Sequence, residues 1–146
     1  MSLSGRSKEA ETMRRFFHPV FPVLLCCLSV ACSREKPVDH GAVAAQAARH
    51  YYEQLLAGKY ETFFKGMNLP DTVPDSYRRQ MLSNFEKFRL RHDTLHGGLR
   101  TVKVRKAEFS AKDSTASAFL VLGFRDSTVE QVVVPMVKRR RVWLMR

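Results

Sequence analysis

The sequence predicts an α+β domain in which three N-terminal helices pack on a curved antiparallel sheet of about four strands. Three observations carry this reading. Apolar residues recur at helical spacing from residue 41 to residue 96. Gly97-Gly98 then breaks the pattern, and beyond it apolar and polar residues alternate. Turn signals divide the alternating part into short runs.

The first helix is expected over residues 41–57, where Ala44, Ala47, Ala48, Tyr51 and Leu55 share a face. Asp39 is placed to cap its start and Gly58 to end it. Its small alanines suit a close approach to a partner surface. A second, shorter apolar face follows in Tyr60, Phe63, Phe64 and Met67, closed by Gly66 and Asn68-Leu69-Pro70. The longest helix is expected over residues 75–96. Its stripe is Tyr77, Met81, Phe85, Phe88 and Leu95, with Arg78, Arg79, Glu86, Lys87 and Arg89 outside it. Asp71 or Thr72 is the expected cap, with Pro74 in the first turn.

In the strand half, Val102 and Val104 share one parity, and Ala107 and Phe109 share the other, which predicts a bulge between the pairs. Ala116, Ala118, Leu120, Leu122 and Phe124 alternate cleanly over residues 115–124. Residues 125–128 read as a turn and residues 129–137 as a third strand, with Pro135 marking an edge or bulge. Lys138 to Arg141 is a hairpin connection into a last strand, Val142 to Met145.

The N-terminal segment is of a different kind. Arg14 and Arg15 precede an apolar run from Phe16 to Leu28, too short to span a bilayer as a helix, which needs about 20 apolar residues. A charged start, a short apolar run and a small residue before the break describe a secretory signal. The run Leu28-Ser29-Val30-Ala31-Cys32 resembles the lipobox of bacterial lipoprotein signal peptides, with Ser29 where the family usually has an aliphatic residue. The resemblance implies that Cys32 is acylated and heads the mature chain. Several acyl chains on one Cys give stable attachment where a single chain binds only marginally. The expected organisation is therefore residues 1–31 as N-terminal extension and signal, 32–40 as lipid-anchored tether, and 41–146 as the domain. Met13, just before the charged pair, is a second candidate start.

The whole chain carries 25 Lys and Arg against 14 Asp and Glu. Removal of residues 1–31 takes away Arg6, Lys8, Arg14 and Arg15, together with Glu9 and Glu11. The net charge then falls from +11 to about +9. Of the three cysteines only Cys32 remains, which excludes an internal disulfide and a cysteine-built zinc site. Export turns the positive charge away from nucleic acid. It reads either as a solvated surface that keeps the domain soluble or as a match to lipid head groups, lipopolysaccharide or acidic polymers of a cell envelope, with an outer-membrane location expected and either face open.

The helix segments Ala48-Arg49-His50-Tyr51-Tyr52 and Leu55 to Tyr60, with the ending Val137-Lys138 to Trp143-Leu144-Met145, resemble the nuclear transport factor 2-like (cystatin-like) cone. They are similar above all to exported lipoproteins of that fold common in Bacteroidota. The resemblance covers residues 41–146. The usual glycine of the last turn is replaced by Arg139-Arg140-Arg141. This fold hosts isomerases, dehydratases, cyclases, transport adaptors and binding modules, so it does not by itself give function.

Candidate sites follow. Tyr51, Tyr60, Phe64, Phe85, Phe88 and Trp143 are candidates to line a pocket inside the cone, although aromatic residues at helical spacing also build cores. Lys138, Arg139, Arg140 and Arg141 are candidates to bind anions, or else form an exposed hairpin tip kept charged against edge pairing. His92 and His96 lie four apart, as metal ligands on a helix would, yet no third ligand is evident and the last helical turn suits histidine for its dipole. No metal and no cofactor is assigned. Of the sheet's carboxylates, Glu108 points opposite to the face of Ala107 and Phe109, Asp113 and Asp126 fall in turns, Glu130 lies near a strand start, and none interrupts the series Ala116 to Phe124. No catalytic residue is assigned. The expectation is a lipid-anchored envelope protein that binds a small ligand or an envelope partner without catalysis. The alternatives are a small pocket enzyme of the isomerase or dehydratase type, or a homodimeric module.

Overall fold

The change of period at Gly97-Gly98 divides the structure as it divides the sequence. The computed structural model describes residues 37–146. Three helices come first: α1 (His40–Leu56), α2 (Tyr60–Lys65) and α3 (Asp75–His96). Four strands follow: β1 (Leu99–Ser110), β2 (Thr115–Phe124), β3 (Val129–Arg139) and β4 (Val142–Met145). They form one antiparallel meander in the order β1-β2-β3-β4. The described residues form a compact unit with a contiguous apolar core of their own. The signal segment, the lipobox and Cys32 lie outside the described residues.

Asp39 caps α1 through its carboxylate, which accepts the Ala42 N–H at 3.0 Å. Ala44, Ala45 and Ala48 are fully buried, so Ala45 takes the place expected of Ala47. With no bulk on that face, α1 lies flush on β1 and β2. A Cβ on Gly41 would sit 3.4 Å from Phe109 and 3.5 Å from Ala107. In β2 every second residue from Ala116 to Phe124 is buried. The bulge in β1 is present between Val104 and Lys106, and it puts both Val102 and Ala107 on the helix side. Pro135 accepts the Arg146 N–H on its carbonyl at 2.8 Å, just past the last residue paired with β4. Its missing N–H thus falls where no strand needs a donor.

Two expectations change in α3. Its N-cap is Pro74, with no side-chain hydrogen bond from Asp71 or Thr72. Its apolar stripe is not core: α3 buries no residue, and Tyr77, Phe88 and Leu95 are exposed. The inner face of the sheet is already occupied by α1. α3 packs on the rest of the fold partly through Phe85, whose ring meets Phe63 edge-on at 4.9 Å. The helix ends as read, with Gly97 left-handed at φ 68°.

Beyond α2 the backbone joins the sheet. Met67 bridges Met145 in parallel, and the Asn68 N–H donates to the Met145 carbonyl at 2.7 Å. Gly66 is required there, because any Cβ would run into the Tyr51 ring.

Candidate binding cleft

An apolar helix face left uncovered beside a sheet leaves a gap. An open cleft of about 430 Å³ lies between the C-terminal half of α3 and the β2–β3 turn. Phe88, Arg91, His92, Leu95 and His96 line it from the helix, and Phe124, Thr128, Val129 and Glu130 from the sheet. Phe124 is nearly fully buried and carries both imidazoles. His92 stacks on it at 5.1 Å and 18°, and His96 leans on it at 4.8 Å. Phe88 meets His92 edge-on at 4.4 Å. These rings make a flat apolar wall.

Polar groups stand beside that wall. His96 Nδ1 lies 2.8 Å from Asp126 Oδ2. Asp126 also accepts the Thr128 N–H at 2.9 Å and the Thr128 hydroxyl at 2.6 Å on its other oxygen. These bonds from Thr128, with His96 adding to them, pull the Asp126 pKa down to about 2. Asp126 is thus a carboxylate at neutral pH and a fixed acceptor. In the neutral ring it selects the Nδ1–H tautomer of His96 and leaves Nε2 as the acceptor. His92 Nδ1 is buried and has no protein partner among the described residues. Glu130 pairs across the sheet with Leu122, so it belongs to the inner face, at its solvated rim. Tyr52 lies within reach of its field. Burial first, then the Glu130 charge, pushes the Tyr52 phenol pKa up.

Of the six aromatic residues singled out in the sequence, Phe88 stands on the cleft wall. The others hold the domain together. Tyr51 donates its hydroxyl to the Trp143 carbonyl at 3.0 Å, and burial raises its pKa. The Tyr60 hydroxyl accepts from Arg89 Nε at 2.7 Å. Phe64 and Trp143 are buried, and Phe85 packs on Phe63. Lys138 to Arg141 lie at the far end of the sheet from this cleft, in and beside the β3–β4 turn. Among the described residues no group of three or more His, Cys, Asp or Glu is arranged to hold a metal ion.

Sequence reasoning missed Phe124 and Glu130 as cleft residues. The alternation of β2 already put Phe124 on the inner face. The face of Glu130 was hidden, because Val129, Val132, Val133 and Val134 make either parity of β3 look apolar.

Comparison with solved structures supports this architecture. The chain is similar to a crystal structure from Campylobacter jejuni described as a candidate NTF2-like transpeptidase. The TM-score is 0.53 at 15% identity, and the match covers 68% of this chain and 94% of that one. The domain has a nuclear transport factor 2-like α+β fold. At this identity the likeness shows the fold alone. No family model matches the chain, and no curated protein does.

Proposed function

We propose that the chain is a lipid-anchored protein of the cell envelope whose cone-shaped domain binds a ligand without transforming it. The anchor is the acylated Cys32 at the end of the signal segment, and a short tether carries the domain. The observation that supports binding is the cleft itself. Phe88, His92, His96 and Phe124 present stacked and tilted rings beside polar groups in an open gap, the mixture that orients a small molecule with a flat apolar part. No helix among the described residues is long and apolar enough to cross a membrane.

Native mass spectrometry of residues 37–146 recovered from cells tests this reading. The expected result is a chain carrying a small extra mass, which Phe88→Ala removes; Phe88 is exposed, so its truncation leaves the fold standing. A bare chain whose His92 and His96 NMR signals ignore envelope extracts contradicts it.

One observation favours a second reading, a small isomerase or dehydratase. His96 held by Asp126 is the arrangement of an oriented general base. That reading predicts turnover that His96→Ala abolishes while the ligand is still retained.

A further inference from the structure

The end of the sheet opposite the cleft carries the densest positive charge in the chain, and it is the end that the tether enters. His40, the first residue of α1, packs against Phe109 near the end of β1, with ring centroids 5.3 Å apart. Phe109 in turn meets the Trp143 ring at 6.0 Å. Lys138 lies over the Trp143 ring at 5.9 Å, and its N–H donates to Ser114 in the β1–β2 turn at 2.9 Å. The start of α1, the β1–β2 turn and the β3–β4 turn therefore meet at one end. The cleft lies at the other, across the ten residues of β2, about 30 Å at strand spacing.

The β3–β4 turn is unusual in its own right. Arg140 and Arg141 are its two central residues, both left-handed, at φ 47° and 69°. A two-residue turn of this kind ordinarily takes Asn-Gly, because side chains other than Gly and Asn are strained there. Arginines in that position put three exposed guanidinium groups, from Arg139, Arg140 and Arg141, at the tip. The acidic residues at this end are Asp39, Asp71, Asp113 and Glu108, the last paired with Lys106. None of them pairs with Lys138 to Arg141, and no ion pair among the described residues involves these four. Cys32 is separated from α1 by only seven residues, which reach about 25 Å at most. An anchor that short holds this end close to the bilayer.

We infer that the Lys138–Arg141 hairpin docks on the anionic head groups of the membrane and holds the domain upright, with the His92–His96 cleft pointing away from it. This rests on the anchoring at Cys32 proposed above. Basic residues beside an anchor add affinity for anionic lipid one charge at a time, within a Debye length of the surface. Arginine at both central turn positions places that charge at the tip.

The test uses residues 37–146, which hold their own core, and vesicles of phosphatidylcholine with or without phosphatidylglycerol. Binding is expected only with phosphatidylglycerol. R140N/R141G removes two charges and installs the favoured turn, so it should weaken binding roughly 30-fold while melting no lower than the parent. R140K/R141K should keep most of the affinity. Equal binding to neutral vesicles, or an R140N/R141G variant that binds as before, overturns the inference. The intact mass of the full chain from a membrane fraction reads the anchor separately. A chain without acyl mass at Cys32 defeats the anchor, whatever the hairpin does on vesicles.

Discussion

The two ends of this domain are built by opposite rules. At the end where α1 begins, Trp143 and the alanine face of α1 belong to the core, Phe109 lies exposed against the Trp143 ring, and charge is carried outward on a strained turn. At the other end, α3 arrives with an apolar stripe that is covered only in part, through Phe85 on Phe63. Phe88 stays exposed there, beside half-buried His92 and His96 on Phe124. The same inventory of aromatic and basic residues thus gives a positively charged end, whose own cleft is lined by Arg139 and Arg140, and a ring-lined one. An apolar face left unburied costs stability that a filled core would supply, and the cleft is where this chain carries that cost.

The sharpest way to break the contrast is to remove the floor of the open end. Phe124→Ala should destabilise the domain by about 3–5 kcal/mol, since the ring is buried and supports both imidazoles. Urea denaturation measures it; a loss below about 1 kcal/mol would mean the cleft wall is not tied to the core. The basic end should respond the other way. R140N/R141G should raise stability by about 1–2 kcal/mol, because two left-handed arginines give way to residues that tolerate that conformation. Thermal melts of parent and variant check the sign.

The order of elements was legible because each boundary has a local cause. Asp39, Gly97 and the alternation of β2 act within a few residues, and the structure has them where they were read. The bulge in β1 was legible for the same reason, as a slip of parity between Val104 and Ala107. The fate of α3 was not. Its stripe looks like any core-facing stripe, and only tertiary competition decides that α1, with alanines instead of rings, takes the sheet. The cleft was half legible. Phe88, His92 and His96 stood out, but their meeting with Asp126 and Glu130 needs a strand register that a valine-rich run does not disclose.

Two smaller effects sharpen the comparison. Asp39→Ala should cost about 1 kcal/mol by leaving the Ala42 N–H uncapped at the basic end. Chemical denaturation reads it, and Asp39→Ser should restore most of the loss. Asp126 adds a pH dependence confined to the open end. Its folded pKa of about 2 lies below the ordinary 3.8. Its contribution is therefore complete above pH 4 and fades as the pH falls towards 2. Asp126→Asn should flatten stability across that window and leave it unchanged in slope near neutrality. A steeper acid loss in the variant would contradict the sign.

The most direct test of the two-ended account is hydrogen–deuterium exchange on the acylated chain seated on vesicles containing phosphatidylglycerol. The account predicts protection on the vesicle at the Arg139–Val142 turn and unchanged exchange around His96 to Thr128. Protection of the cleft segment with an unprotected Arg140-Arg141 turn would contradict it, because the open end would then face the membrane.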